Sequence, residues 1–177
     1  MFVLYFIFAM GLIGVELAGW STLRTQLISD TVSLPTEVGL GAALGLSVAA
    51  LSQWSSRRFS WAASLDNELR PLFQGRGRLY LSALAVVTGV VEELLFRGLL
   101  QPILGLWWTT LLFGAAHPPQ RRTQWPWTAA ATVMGLVFGI LAELRGCLIA
   151  PIIAHFTINH FNLHALVFGD RLLGGNQ

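Results

Sequence analysis

Lysine is missing altogether: all eleven basic residues of the 177 are arginine, against nine acidic ones. Charged residues make up 11% of the chain and hydrophobic ones 54%. A soluble domain averages roughly 25% charged residues, so lipid rather than water is the expected main solvent. The net charge of +2 is small and the arginines are confined mostly to loops, which excludes nucleic-acid binding. A single cysteine, Cys147, excludes an intrachain disulfide. Met1–Trp20 has neither a basic leading region nor an A-x-A cleavage site, so it is expected to be a retained helix rather than a removed signal peptide. No H-E-x-x-H helix, G-x-S-x-G elbow, Walker-type loop or G-x-G-x-x-G loop is present. Internal repeats, low-complexity segments and domain linkers are likewise missing.

What the chain has in abundance is long apolar runs. A hydrocarbon core about 30 Å thick needs roughly 20 apolar residues in a helix. Six segments qualify as candidate spans: Phe2–Trp20, Thr36–Trp54, Leu79–Leu100, Ile103–His117, Trp127–Leu144 and Gly146–Gly169. The expected fold is therefore all-α, a polytopic transmembrane bundle of about six helices. The fourth segment is short and the sixth contains Pro151, so kinks or partial insertion are expected there. Trp20, Trp54, Trp107, Trp108, Trp125 and Trp127 fall near the proposed ends, where indole rings favour the membrane interface. Gly41-xxx-Gly45 and Gly135-xxx-Gly139 provide small faces for close helix packing. The loop Ser55–Arg78 carries five arginines and shares its side with Arg121 and Arg122, which puts it and both termini in the cytoplasm.

Most of these spans avoid charge; the third does not. It contains Glu92, Glu93 and Arg97, each costing on the order of 2.5–3.5 kcal/mol at the centre of a membrane helix. Glu93 and Arg97, at i and i+4, suit a structural ion pair. Glu92 points about 100° away and has no basic neighbour on its own face. Its partner must come from another helix, or it is protonated. His117 closes the fourth span, while His155 and Asn159 share one face of the sixth. Counting along the helices places Glu92 about 20 Å from the cytoplasmic side and His117 and His155 roughly 9 and 16 Å from it. The three depths permit convergence.

A glutamate and two histidines can hold a divalent metal, or can activate water directly while an amide and an imidazole stabilise the oxyanion. Peptide hydrolysis is the chemistry such a cluster suggests. A proton- or ion-coupled relay would use the same residues, but the small helix count and missing inverted repeat oppose it.

Three motifs occur in order: Glu92-Glu93-x-x-x-Arg97, Phe113-x-x-x-His117 and His155-x-x-x-Asn159. Together they resemble the EExxxR, FxxxH and HxxxN motifs of the CAAX prenyl endopeptidase and bacteriocin-processing (CPBP, or Abi) family of intramembrane metalloproteases. The resemblance covers about Leu79 to Phe168. It implies that Glu92 and His117 activate water and that His155 and Asn159 complete the site as metal ligands or oxyanion donors. It gives Glu93 and Arg97 a supporting role. A metal, zinc first, would be held by Glu92, His117 and His155. The implied partners are a peptide or protein substrate at the membrane and the bilayer itself. The resulting division is residues 1–78 as amino-terminal helices and basic loop, 79–168 as catalytic core and 169–177 as a tail. A non-enzymatic scaffold or immunity protein of the same fold is the alternative, distinguished by whether Glu92→Gln abolishes cleavage.

Overall fold

The computed structural model describes Gly14 and residues 33–172, so the expected span Phe2–Trp20 lies, Gly14 apart, outside the described residues. Every regular element among the described residues is helical. Helix α1 (Leu34–Arg58) starts with proline in its first turn, where the missing N–H removes no intrahelical bond. Its buried residues are Glu37, Gly41, Gly45 and Ala49, one residue every turn. That narrow face meets α6 (Ile149–Leu172). A Cβ on Gly41 would come within 2.5 Å of the Ala150 carbonyl oxygen, and one on Gly45 within 2.6 Å of Thr157 Cβ. The small pair thus serves packing within the bundle, as expected.

The segment between Ser55 and Arg78 is not simply a loop. It contains helix α2 (Ser60–Phe73). Trp61, Ala62, Leu65, Leu69 and Leu72 recur at helical spacing against a polar face, the pattern of a helix lying along a surface rather than crossing it.

Helix α3 (Arg78–Glu93) runs without a break into a π-helical segment, Leu94–Leu100, and then into α4 (Gln101–Ala115). Length and apolarity alone would make Arg78–Ala115 one span. Yet the rings of Phe96 and Phe113 lie 4.9 Å apart. Seventeen residues of straight helix would separate them by about 25 Å. The chain reverses at Gly105, whose φ of 79° and ψ of 167° are accessible only to glycine. The expected third and fourth spans are therefore separate arms of a hairpin.

A short 3-10 turn, Arg122–Gln124, leads into α5 (Trp125–Arg145), which ends at the left-handed Gly146. Pro151 falls in the first turn of α6, so it costs no helical hydrogen bond and does not break that helix. Among the described residues three helical stretches, Leu34–Arg58, Arg78–Ala115 and Arg122–Arg145, are long and apolar enough to cross a membrane. Helix α6 falls outside that set because it carries His155, Asn159, His160, Asn162 and His164. It packs chiefly on α1 and α3, while α4 packs on α5. Two small apolar clusters, Leu95–Phe96–Phe113 and Phe138–Ala154–Ile158, lie on either side of the polar residues described next.

Candidate functional site

Glu92 and Glu93 end the α-helical part of α3 and are both buried. Thr88 hydrogen-bonds Asn159 at 3.0 Å, and Glu93 hydrogen-bonds His155 at 2.8 Å. As the number rises on one helix it falls on the other, so α3 and α6 are antiparallel. This register sets the i, i+4 pair His155 and Asn159 against the same stretch of α3 that carries the glutamates.

The ring orientations of the two histidines follow from their partners. Nδ1 of His117 lies 2.8 Å from the Phe113 carbonyl oxygen. A carbonyl can only accept, so Nδ1 carries the proton and Nε2 is left with a free lone pair. Nδ1 of His155 lies 2.8 Å from Glu93 Oε1, with the same result when that carboxylate is ionised. Both free Nε2 atoms face Glu92 Oε2, at 3.8 Å from His117 and 3.9 Å from His155. Those gaps are too long for direct hydrogen bonds. Glu92 Oε2 is buried and has no hydrogen-bond partner among the described residues. A buried unpaired carboxylate oxygen is costly, so the gap between the three atoms calls for an occupant.

Aromatic rings hold the imidazoles in place. His155 stacks on Phe138 with centroids 5.2 Å apart, and Phe113 packs against both histidines. Trp127 meets His117 edge-on. Thr128 Oγ1 donates to the His117 carbonyl at 2.6 Å, fixing the point where the helix gives way to Pro118 and Pro119. His117 is the more open of the two, its side chain 18% exposed against 8% for His155. Access to the gap therefore lies on its side.

Arg97 is almost wholly buried. Its Nη1 donates to Glu93 Oε1 at 2.9 Å and its Nη2 to the Gly135 carbonyl at 2.8 Å, while the Phe113 ring covers the guanidinium at 4.3 Å. One oxygen of Glu93 thus accepts from both Arg97 and His155. Asn159 lies one turn from His155, donating to Thr88.

All six residues singled out in the sequence thus lie on α3, the π segment, the turn just after α4, and α6. Glu92, His117 and His155 share one gap, Glu93 and Arg97 stand behind His155, and Asn159 stands beside it. Thr88, Thr128, Gly135 and Phe138 were not anticipated. Thr88 had a signal, since it is one turn from Glu92 on the same face; the others depend on tertiary packing.

Two imidazole nitrogens and a carboxylate oxygen are donors of the type zinc takes. Their spacing does not form a closed set, however. Two ligand atoms around a tetrahedral zinc are ~3.4 Å apart, whereas the separations here are 3.8 and 3.9 Å. Among the described residues no group of three His, Cys, Asp or Glu side chains is gathered closely enough to hold a metal ion.

Comparison with known proteins bears on this arrangement. Residues 75–161 match the family of type II CAAX prenyl endopeptidase Rce1-like proteins. A relative from Bacillus subtilis (strain 168), the uncharacterized protein YpbD, is 32% identical over 90 residues, 51% of this chain and 47% of that protein. The match spans about half the relative's length. No solved structure matches the chain. The three ordered motifs all lie within the matched residues and their side chains meet around one buried gap, and the chain accordingly belongs to the CAAX prenyl endopeptidase and bacteriocin-processing family, on its Rce1-like side.

Proposed function

We propose that the protein is a multi-pass intramembrane endopeptidase of the CAAX type that hydrolyses a peptide bond near the membrane, in prenyl-protein processing, peptide maturation or bacteriocin immunity. The observation that carries this reading is the meeting of two free imidazole lone pairs with the unpartnered Oε2 of Glu92. A water held there donates one proton towards Glu92 and the other towards a histidine Nε2. Its oxygen lone pair is left free to attack a peptide carbonyl carbon. Glu92 takes a proton as general base and returns it to the departing amine. Asn159 has one amide proton left beyond its bond to Thr88, and it stabilises the oxyanion. Glu93 keeps His155 in the tautomer this scheme needs, and Arg97 holds Glu93. Residues 79–168 form the catalytic core, and the membrane orientation puts both termini and the entrance beside His117 in the cytoplasm.

Purified protein in proteoliposomes, given a quenched fluorescent peptide with a lipidated end, provides the test. Glu92→Gln and His117→Ala should each lower the cleavage rate by about 10²–10⁴-fold, the usual worth of general acid–base catalysis, with folded yield unchanged. Prolonged dialysis against a zinc chelator should leave the rate within about twofold if water alone fills the gap. Loss of activity on chelation, restored by zinc, would instead give Glu92, His117 and His155 the metal-binding role. A Glu92→Gln protein that protects cells as well as wild type does would favour the scaffold or immunity role.

A further inference from the structure

Thr88 and Asn159 form a second rung beside the one that Glu92 and His155 make. Thr88 stands one turn before Glu92 on α3, and Asn159 stands one turn after His155 on the antiparallel α6. The two rungs therefore lie about 5.4 Å apart along the helices. In the first, Asn159 Nδ2 donates to Thr88 Oγ1 at 3.0 Å; in the second, His155 Nε2 faces Glu92 Oε2 at 3.9 Å. The bond to Thr88 is the one hydrogen bond of the Asn159 side chain among the described residues.

A side-chain amide can turn either its nitrogen or its oxygen to a neighbour, and the two ends are too alike in size for packing to choose between them. Thr88 makes the choice. Its hydroxyl donates to the Leu84 carbonyl one turn back at 2.9 Å, with the Ala85 carbonyl at 3.3 Å. Its oxygen keeps lone pairs for an amide N–H, so both hydrogen bonds are made at once. With the amide turned over, the hydroxyl would have to release Leu84 in order to bond Asn159 Oδ1, and one bond would replace two. The planar amide then fixes its second proton as well, because the first is already held. We infer that Thr88 is a positioning residue for the hydrolysis, setting the Asn159 amide so that its second N–H is the one offered to the oxyanion, which rests on the oxyanion role proposed for Asn159.

Substitution at Thr88 tests this in the full-length protein. T88V keeps the size of the side chain and removes the hydroxyl, whereas T88S keeps the hydroxyl. In proteoliposomes with the lipidated peptide, T88V should lower kcat by about 3–10-fold, the worth of one neutral hydrogen bond, and leave KM within about twofold. T88S should restore kcat to within about twofold of wild type. In an N159A background T88V should cost nothing more, since the two residues act as one unit. A merely structural threonine predicts the reverse: an equal loss in N159A, or a change in KM. Either of those results would overturn the assignment, as would wild-type kcat in T88V or a T88S as slow as T88V. A second measurement needs no turnover. In protein labelled with 15N-asparagine, the Asn159 side-chain amide, assigned by its loss in N159A, should exchange protons with water about fivefold more slowly in wild type and T88S than in T88V. Equal exchange in all three would show that Thr88 does not hold the amide. If T88V fails to fold, rapid unprotected exchange in the wild-type protein gives the same negative answer. Full cleavage by Glu92→Gln, with the amide still protected, would instead defeat the peptidase reading and leave the Thr88–Asn159 contact standing.

Discussion

At the scale of single residues, Glu93 is the joint between structure and chemistry. Its Oε1 accepts from both Arg97 and His155, and its Oε2 is buried without a partner among the described residues. Removing Arg97 would leave that carboxylate uncompensated, at a cost of about 3–5 kcal/mol. Arg97→Ala should therefore lower the yield of monodisperse protein in fluorescence-detected gel filtration. Arg97→Lys should fall between it and wild type, because one ammonium cannot replace a planar fork reaching both Glu93 and the Gly135 carbonyl. Glu92→Gln should behave oppositely, folding normally without turning over. If Glu92→Gln were the variant that failed to fold, the division of labour between the two glutamates would be reversed.

Among elements, the π-helical segment Leu94–Leu100 determines what Gln101 can reach. An i→i+5 stretch amounts to one inserted residue in an α-helix. Deleting Leu100 should restore α-helical register and leave the Glu93–Arg97 spacing intact. Everything after it would turn by about 100°, carrying Gln101 away from the Gly139 carbonyl and Glu143. The expected result is a loss of thermal stability, read by scanning fluorimetry, larger than that of Gln101→Ala alone. This segment is not legible in the sequence, since Leu-Leu-Phe-Arg-Gly-Leu-Leu suits an α-helix equally well. The apolar runs behind α1, α3, α4, α5 and α6 are legible, because hydrophobic length reflects a single solvent preference. Helix α2 escaped notice because a search for long apolar runs passes over an amphipathic helix of 14 residues. The residues of the site were legible for a related reason: in so apolar a chain, each buried charge or imidazole stands out by its cost. Their supports did not stand out, because Phe138 looks like any other core phenylalanine until His155 is seen stacked on it.

Over the whole molecule, the polar helix α6 is sheltered between α1 and α3, and the site opens beside His117. Glu68 of α2 bonds Thr123 and Gln124, so the surface helix and the turn after Pro119 lie at one end of the bundle. In the orientation proposed from the arginine count, that end faces the cytoplasm. Cysteines placed at Ala116 and Gln120, in a Cys147→Ser background, should react with a membrane-impermeant thiol reagent supplied from the cytoplasmic side. Labelling only from the opposite side would invert the orientation. The hairpin at Gly105 adds a demand on the surrounding lipid. The return arm after Gly105, residues 106–115, is ten residues long, about 15 Å of helix, against a hydrocarbon layer of about 30 Å. Its outward face is apolar: Trp107, Trp108 and Leu111 are all more than half exposed. Lipid beside such a short arm must compress to match it, bringing headgroups and water down towards His117 at a cost of a fraction of a kcal/mol per ångström. Bilayers of lengthening acyl chains oppose that dimple, and cleavage in proteoliposomes should slow steadily from 14-carbon to 22-carbon lipids while the rate in detergent stays constant.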